Sequence, residues 1–537
     1  PFLKFERILE TYLEYAPIGI KSFLKSMPLW IKKKIWIKEL IKNELNYSGD
    51  IIFPEHHESH AASAFFPSPF KEAAFITMDG VGEWATSSFG IGKENKIELL
   101  ADIQFPHSLG LLYSAFTYYS GFRVNSGEYK IMGLAPYGKA KYKDLIYEHL
   151  IDVKEDGSFK MNMDYFNYCA GLKMTSKKFN ELFGGPPRKP ETILTQKEMD
   201  LACSVQEVIE EIVLKIAKYV KKQTGMKYLC LAGGVALNCV SNGKLLRTKL
   251  FDDIWIQPAA GDAGGAVGCA LFSWYQYLDN QRKADNKTDY MQGSYLGPEY
   301  SNSSIESFLK KNNCSFQVLK DKELSEKTAD LIANQKVIGW FQGRMEFGPR
   351  ALGSRTIIGD ARSSKMQKTI NQKIKYRESF RPFAPSIRVE NISDYFEIDR
   401  ESPYMLLVAN IRKDKQIKIS SKEDSYIGLE KLNVLRSKVP AITHVDYSAR
   451  IQSVNRKTNS RYHDMLTKFN DKYGCPIIVN TSFNIRGEPI VCTPQDAYLC
   501  FMRTEMDYLI IGNYLLRKKN QKPLLENDNW QNHFKLD

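Results

Sequence analysis

The sequence contains no run of about 18 apolar residues, so it predicts no membrane span. Its nine cysteines are odd in number and include no C-x-x-C pair, which excludes a disulfide framework and a zinc knuckle. Several of them lie in apolar runs, and reduced, buried thiols indicate a cytoplasmic protein. The chain opens at Pro1 with neither a methionine nor a signal-like apolar core. Its 537 residues allow two or three domains, each with its own core.

The positive charge of the chain raises the question of a nucleic-acid partner. The formal net charge is +13 and the pI is about 9.0. The basic residues are spread along the chain, however, and no RNA-binding module is visible. A lysine-rich protein that binds anionic small molecules explains the charge, so no nucleic-acid partner is expected.

Hydrophobic periodicity and glycine turns predict an α/β fold. Residues 1–50 are helical and partly basic, which favours a surface helix packed on its own domain over a membrane-surface helix. A long amphipathic helix is predicted at about 196–223. Buried strands, several followed by glycine turns, are predicted at 73–78, 228–232, 254–257, 336–341, 475–480 and 508–511. Residues 412–428 have the composition of an insertion or mobile loop.

Three of the eight histidines lie in the segment H-H-E-S-H. His56 and His60 are four residues apart, so on a helix they share a face and can offer two imidazoles to one metal. Asp79 in M-D-G-V-G and Asp262 in G-D-A-G-G could complete the shell. Two histidines with two carboxylates suit iron, manganese or zinc. The alternative is that the histidines merely cap and pack a surface helix.

Glycine turns after predicted strands indicate a bound nucleotide, because such turns present backbone N–H groups to phosphate. Neither a Walker A sequence nor G-x-G-x-x-G after a strand is present, which disfavours P-loop and Rossmann folds. Glu128 and Lys130 share a face if their segment is extended, and they either contact a polar substrate or pair on the surface. The candidate cofactor-binding residues are Gly80, Gly82, Glu128, Lys130, Gly233, Gly234, Asn238 and Gly264.

A block of three arginines among glycines and a proline, G-R-M-E-F-G-P-R-A-L-G-S-R, follows one of the predicted strands. Guanidinium groups bind phosphate and carboxylate through paired donors, so this block predicts a small, highly charged substrate. Cations and hydroxyls in other turn-like segments are expected to join it. The alternative is a set of solvated surface arginines. The candidate catalytic residues are Arg350, Lys375, Arg381, Arg450 and Ser482.

Seven motifs, in order along nearly the whole chain, resemble the O-carbamoyltransferases of antibiotic and nodulation-factor biosynthesis. They are H-H-E-S-H-A-A-S-A-F-F-P-S-P-F, T-M-D-G-V-G-E-W, G-E-Y-K-I-M-G-L-A-P-Y-G, L-A-G-G-V-A-L-N, G-D-A-G-G-A, M-E-F-G-P-R-A-L-G-S-R and N-T-S-F-N. The resemblance implies an ASKHA-type domain at 1–290, similar to the tRNA threonylcarbamoyl transferase, and a YrdC-like domain at 304–516. Residues 291–303 would form a linker and 517–537 a tail.

The resemblance also implies an activity. The YrdC-like domain would form carbamoyladenylate from carbamoyl phosphate and ATP, which is bound with Mg²⁺. The ASKHA-type domain would pass the carbamoyl group to an acceptor hydroxyl with a divalent metal, usually iron. By motif, His56, His60, Asp79 and Asp262 become the metal shell, and the five cationic and hydroxyl candidates become the donor site. A homodimer is compatible with the family.

The chain departs from the family at its start. The family begins with a strand pair that carries an early phosphate turn, and no such segment precedes residue 56 here. A truncated ASKHA-type domain is therefore expected. Two other functions stay open: a tRNA threonylcarbamoyladenosine-type enzyme, and a non-catalytic module that binds nucleotide or metal. The identity of the acceptor is not encoded in any motif.

Overall fold

The computed structural model describes residues 1–524 and 534. The chain divides into two compact units, Pro1–Tyr290 and Met291–Asp537. The mixed α/β fold predicted from the sequence is confirmed in both. Among the residues that the structure describes, no helix combines the length and the apolar character needed to cross a bilayer.

The first unit contains helices and strands in alternating groups. Its α-helices are α1 (Phe2–Tyr15), α2 (Ile20–Leu29), α3 (Ile37–Leu45), α4 (His56–Phe65), α5 (Leu109–Tyr119), α6 (Glu128–Leu134), α7 (Lys143–Leu145), α8 (Lys177–Leu182), α9 (Gln196–Thr224), α10 (Cys239–Arg247) and α11 (Asp262–Leu271). Its strands are β1 (Glu72–Met78), β2 (Ala85–Lys93), β3 (Lys96–Gln104), β4 (Ile151–Val153), β5 (Phe159–Met161), β6 (Tyr228–Ala232) and β7 (Asp253–Ile256). Three π-helical turns extend these helices, at Trp30–Lys34, Ile146–Leu150 and Phe272–Tyr277.

The main sheet of this unit has five strands in the order β3-β2-β1-β6-β7. The pairs β1–β2 and β2–β3 are antiparallel, whereas β6 and β7 run parallel to β1. The long helix α9 starts with a capping box between Thr195 and Glu198 and ends at Gly225, whose φ of 64° is left-handed. Because β1 and β6 are parallel neighbours, the turns after Met78 and Ala232 meet at one sheet edge.

The second unit contains α12 to α18 and β8 to β17. Its α-helices are α12 (Asn302–Lys311), α13 (Asp321–Ala333), α14 (Met366–Ile370), α15 (Ile392–Tyr395), α16 (Ser421–Asp424), α17 (Ser460–Tyr473) and α18 (Pro494–Arg503). Its strands are β8 (Gln317–Val318), β9 (Ile338–Phe341), β10 (Arg355–Asp360), β11 (Ala384–Arg388), β12 (Val408–Asn410), β13 (Ser448–Arg450), β14 (Gln452–Val454), β15 (Ile477–Ser482), β16 (Tyr508–Ile511) and β17 (Tyr514–Arg517).

Eight of these strands form one sheet in the order β14-β11-β15-β10-β9-β16-β17-β8. Its central strands are completely buried: β9 and β10 show no exposed position. Apolar side chains such as Trp340, Ile357 and Ile478 form a continuous core with the adjoining helices. Of the candidate donor-site residues, Arg450 and Ser482 end β13 and β15, and Arg350 lies in the loop before β10.

Three connecting segments singled out in the sequence contain local structure. Residues 291–303 lie within the second unit, where buried Ser294 donates from Oγ to the carbonyl of Phe347 at 2.5 Å. Residues 412–428 contain a 3₁₀ turn at Lys413–Lys415 and the short helix α16, so they are not structureless. Of the expected tail, Lys518–Asn520 form a 3₁₀ turn, and most of the remainder lies outside the described residues.

Candidate metal centre and oxyanion site

The histidine-bearing helix α4 is fixed at both ends. At its start, Glu55 and Glu58 form a capping box, in which Glu55 N donates to the Glu58 carboxylate at 2.9 Å. At its end, the guanidinium of Arg282 donates to the carbonyls of Phe65 and Phe66 at 3.0 and 2.9 Å. These carbonyls have no further helical turn to bind. Arg282 satisfies that of Phe66 and shares that of Phe65 with the N–H and Oγ of Ser68. The helix predicted from the four-residue spacing is thereby confirmed.

The four predicted metal-binding residues converge. Nε2 of His56 lies 2.8 Å from Oδ2 of Asp79 and 3.0 Å from Nε2 of His60. His60 Nε2 lies 3.3 Å from the same Asp79 oxygen. Oδ1 of Asp262 is 3.6 Å from His56 Nε2 and 3.9 Å from His60 Nε2. One donor atom from each residue lies within 4.8 Å of the others.

The chemistry of this donor set fits a divalent cation. Two imidazole nitrogens at 3.0 Å repel each other unless a proton or a cation lies between or beside them. Burial alone would raise the pKa of Asp79, but the hydrogen bonds from His56 and His60 outweigh it and hold that pKa well below its usual range. An ionised carboxylate therefore faces two imidazoles. Two nitrogens and two oxygens suit a transition metal of borderline hardness.

Glycines allow the close backbone approaches that assemble the cluster. A Cβ at Gly268 would lie 1.9 Å from the carbonyl oxygen of Ser59, so only glycine lets α11 pack this closely on α4. That contact places Asp262, the first residue of α11, beside the histidines. Across the sheet edge, Gly234 N donates to Oδ1 of Asp79 at 3.2 Å. The second carboxylate oxygen is thus anchored while the first faces the imidazoles.

Most of the candidate cofactor-binding glycines also have packing roles. Gly233 has a φ of +90°, and a Cβ there would lie 2.1 Å from the carbonyl oxygen of Met78. A Cβ at Gly82 would lie 2.9 Å from that of His56, and one at Gly264 would lie 2.1 Å from Ala259 O. Only at Gly80 is the nearest atom 4.0 Å away. A side chain at Gly82, Gly233 or Gly264 would therefore push apart segments that carry or adjoin the candidate metal ligands.

Glu128 and Lys130 both lie in helix α6, so the condition under which they would share a face, an extended segment, is not met. Glu128 accepts hydrogen bonds from Ser114 Oγ at 2.8 Å and Asn125 N at 2.9 Å. Lys130 is buried, with its ammonium 5.2 Å from the ring of Phe122. Gly127 before the helix and Gly133 within it obscured a helix of only seven residues.

Asn238 is engaged within the fold. Its side chain accepts from Ser241 N and so caps α10. The amide also exchanges hydrogen bonds with Gln206 of α9, at 3.0 and 3.1 Å. Asn238 therefore links two helices of the first unit, whatever else it contacts.

In the second unit, Lys375 and Ser482 meet directly. The buried Lys375 ammonium donates to Ser482 Oγ at 3.1 Å and to the Ser482 carbonyl. It also donates to the carbonyl and to Oδ1 of Asn484, at 2.9 and 2.7 Å. Burial, reinforced by the charge of Arg377, lowers the pKa of Lys375 well below its usual value. The sequence analysis did not single out Asn484, although it stands two residues after Ser482.

Arg381 lies beside a shared carboxylate. Its guanidinium is 3.6 Å from Oε2 of Glu378, and the guanidinium of Arg486 is 3.3 Å from Oε1. Arg486 N donates to the carbonyl of Lys375 at 3.2 Å, which ties this pair to the lysine. Glu378 and Arg486 were not predicted, because nothing in their local sequence sets them apart from other charged residues.

Buried amides draw the remaining candidate segments together. Nδ2 of Asn480 donates to the carbonyl of Ala351 at 3.0 Å, and Nε2 of Gln452 donates to that of Leu352 at 2.6 Å. Asn480 also donates to the Gln452 side chain at 2.8 Å. These bonds join the segments that carry three candidate residues. Arg350 directly precedes Ala351, Arg450 stands two residues before Gln452, and Ser482 stands two residues after Asn480.

One arginine of the arginine-rich block has an internal role. Arg355 is fully buried, donates to the carbonyls of Gln342 and Gly343 at 2.9 and 3.1 Å, and stacks 3.6 Å from the ring centroid of Phe341. Burial lowers its pKa to about 10. Oε1 of Glu346 accepts from the N–H groups of Leu352 and Ser354 at 2.7 and 2.8 Å. Arg355 and Glu346 therefore stabilise the backbone of the arginine-rich block itself.

Known families match both units. A family model described as the carbamoyltransferase N-terminus matches residues 2–271, and one described as the carbamoyltransferase C-terminus matches residues 329–518. The chain belongs to the carbamoyltransferase family. This membership confirms the resemblance found in the seven motifs, and the protein is an enzyme of carbamoyl transfer.

Two relatives of this carbamoyltransferase match most of its length. The uncharacterized protein sll1178 of Synechocystis sp. is 56% identical, over 100% of this chain and 89% of its own length. Nodulation protein NolNO of Sinorhizobium fredii is 36% identical, over 93% of this chain and 69% of its own. A crystal structure of full-length HypF in the phosphate- and nucleotide-bound form shares 16% identity, with a TM-score of 0.23, over 40% of this chain and 23% of its own. The chain thus spans less than a quarter of that HypF protein.

Proposed function

We propose that this carbamoyltransferase consumes ATP and works in two half-reactions. In the first, carbamoyl phosphate is hydrolysed to carbamate and phosphate, and the carbamate oxygen attacks the α-phosphorus of ATP. Pyrophosphate leaves, and carbamoyladenylate forms. In the second, an acceptor hydroxyl attacks the carbamoyl carbon, AMP leaves with the bonding electrons, and the hydroxyl proton is released. The product is a carbamate ester of a small molecule or glycan.

The observation that carries the first half-reaction is the environment of Lys375. Its ammonium is buried against four oxygen atoms of Ser482 and Asn484, beside the cations Arg377 and Arg381. Phosphate oxygens can replace these acceptors, and the guanidiniums neutralise the charge of carbamoyl phosphate and of ATP with its Mg²⁺. Arg350 and Arg450 are assigned to the same donor site. The eight-stranded sheet is consistent with a YrdC-like domain.

The second half-reaction is assigned to the first unit, whose five-stranded mixed sheet is consistent with an ASKHA-type domain. His56, His60, Asp79 and Asp262 would hold a divalent metal, with iron as the first choice. When bound, such an ion polarises phosphate or lowers the pKa of a hydroxyl. The turns with Gly80, Gly82, Gly233, Gly234 and Gly264 adjoin this cluster, and their backbones are assigned to the adenylate phosphate.

Exchange of labelled pyrophosphate into ATP, with carbamoyl phosphate present, tests the first half-reaction alone. Arg381→Ala should abolish exchange, whereas Arg412→Ala, an exposed arginine of the same unit paired with Asp414, should leave it unchanged. The double variant His56→Ala with His60→Ala should retain exchange and lose transfer. Carbamoyl transfer is measured by mass spectrometry on a set of candidate alcohols. A product has one hydroxyl hydrogen replaced by CONH₂.

Two outcomes would reject the assignment. Undiminished exchange in Arg381→Ala would remove the donor site from this group of residues. Exchange supported by threonine with bicarbonate, rather than by carbamoyl phosphate, would instead indicate a threonylcarbamoyl enzyme.

A further inference from the structure

We infer that a cavity of about 320 Å³ in the first unit binds the acceptor, and that it selects an uncharged, ring-bearing hydroxyl compound. The inference rests on the proposed function, because it assigns the second substrate of the same reaction. The volume of the cavity lies near the lower end of the range of small-molecule pockets, about 300–1,000 Å³. The walls of the cavity come from α1, α2, residues 168–171, Phe105, Val81 and Leu111.

The cavity adjoins the candidate metal centre. Val81, which lines it, is two residues after Asp79, so the chain holds their Cα atoms within roughly 7 Å. The next residue, Gly82, approaches His56 so closely that a Cβ would lie 2.9 Å from that of the histidine. Leu111 forms another part of the wall and follows Gly110, whose Cβ would lie 2.6 Å from the Asp79 carbonyl oxygen. The cavity therefore lies within a few residues of the candidate metal cluster, although none of the four metal candidates lines it.

Helix α1, which lines the cavity, is linked through Glu83 to the histidine-bearing helix α4. Glu83 accepts from His56 N at 2.8 Å, and its other carboxylate oxygen lies 3.7 Å from the ammonium of Lys4. Arg7, one helical turn further along α1, lines the cavity and lies 5.0 Å from the ring centroid of Phe105. The carboxylate of Glu83 thus connects the cavity-lining helix to the helix that carries the histidines.

The lining determines which acceptors fit. Aromatic residues supply flat apolar faces: Tyr12 and Phe23 are stacked, with ring centroids 4.1 Å apart, and Phe105 and Tyr168 add further rings. The hydroxyls of Thr11 and Ser26 add polar contacts at the wall. Such a mixture suits a ring with one apolar face and hydroxyls at its edge.

Charge excludes one class of acceptor. Among the described residues that line the cavity, Arg7 carries the sole formal charge, and it is positive. This guanidinium repels an ammonium group on the ligand, and the Glu83 carboxylate, which does not line the cavity, offsets part of its charge. An aminated sugar or cyclitol is therefore a poor occupant, whereas a neutral glycoside is a good one.

Ligand-observed NMR on the full chain tests the assignment with phenyl β-glucoside and its 2-amino-2-deoxy counterpart as probes. The neutral glucoside should bind at least about fivefold more tightly than the amine, by the charge argument above. Thr11→Trp fills the cavity and should weaken glucoside binding at least about tenfold by steric exclusion. Leu13→Trp, on the exposed side of the same helix, should leave binding unchanged. Arg7→Gln should narrow the preference for the neutral probe.

Ser26→Phe repeats the filling test from α2, so a folding defect in one variant does not decide the matter. The inference is overturned if the wild type binds no glucoside, if both filling variants bind it normally, or if the amine binds more tightly. Pyrophosphate exchange is measured in parallel on the wild type. If pyrophosphate exchange occurs but the glucoside does not bind, only the cavity assignment is rejected. If the glucoside binds and the filling variants weaken that binding, but no exchange occurs, the proposed function is rejected.

Discussion

The ammonium of Lys375 lies 2.7 Å from Oδ1 of Asn484, and the same amide oxygen accepts from Ser482 Oγ at 2.6 Å. One side chain thus orients both the cation and the hydroxyl of the proposed donor site. Asn484 is itself held by its Nδ2, which donates to the carbonyl of Glu488 at 2.6 Å. The asparagine is therefore positioned before any substrate arrives.

Asn484→Ala should lower carbamoyl-phosphate-dependent exchange roughly 10–100-fold, because a hydrogen bond to a charged group contributes about 1.5–3 kcal/mol. Asn484→Asp keeps the acceptor oxygen and should retain more activity than the alanine variant. Asn470→Ala, on helix α17, serves as the control and should exchange normally. Equal rates for Asn484→Ala and the wild type would exclude this positioning role.

Anion binding at Lys375 should take up protons. Burial and the charge of Arg377 lower the pKa of this lysine in the free protein, and bound phosphate raises it again. Affinity for an ATP analogue should therefore fall as the pH rises through the window between these two values. Calorimetry in two buffers of different ionisation enthalpy measures the uptake. Lys375→Met should abolish it, and buffer-independent enthalpies for the wild type would contradict the expectation.

The two glycines Gly265 and Gly268 of α11 should respond oppositely to alanine. A Cβ at Gly268 meets the Ser59 carbonyl oxygen at 1.9 Å, so the helices must separate, at a cost of about 1–3 kcal/mol. No heavy atom lies within 4 Å of a Cβ at Gly265, and its replacement should stabilise the helix by about 0.5–1 kcal/mol. Chemical denaturation measures both. Only Gly268→Ala should also weaken metal binding, since Asp262 moves with the helix.

Removal of one histidine should empty the candidate metal centre. His60→Ala should lower metal affinity by more than the roughly 10–100-fold that loss of an outer-shell partner costs. His149→Ala changes a histidine outside the cluster and should retain the metal. Elemental analysis after dialysis against Fe²⁺, Mn²⁺ or Zn²⁺ gives the stoichiometry. Identical metal content in the two variants would argue against this cluster.

Local patterns were sufficient to predict much of the metal cluster. The spacing of His56 and His60 reports directly on a helical face, and Asp79 stands where a buried strand ends. Asp262 depends on a contact between two helices far apart in sequence. Gly268 permits that contact, but the sequence around this glycine does not indicate which backbone segment packs against it.

The cationic site shows where sequence patterns run out. Lys375 and Ser482 meet because β15 ends beside a π-helical turn at Asn371–Lys375, a tertiary relationship without a local signature. Within the arginine block, Arg355 points inward among backbone carbonyls. Nothing in the spacing of the arginines distinguishes a structural guanidinium from one that faces a substrate. The helical geometry at Lys130 lacked a local signal for a similar reason, because Gly127 precedes the short helix α6 and Gly133 lies within it.

Arg282, which satisfies the last carbonyls of α4, stands 217 residues after Phe65 and eight before the end of the first unit. Expression boundaries for the first unit alone follow from this. A recombinant piece that stops before this arginine would lose the guanidinium that donates to the last carbonyls of the histidine helix, so it should extend to Tyr290.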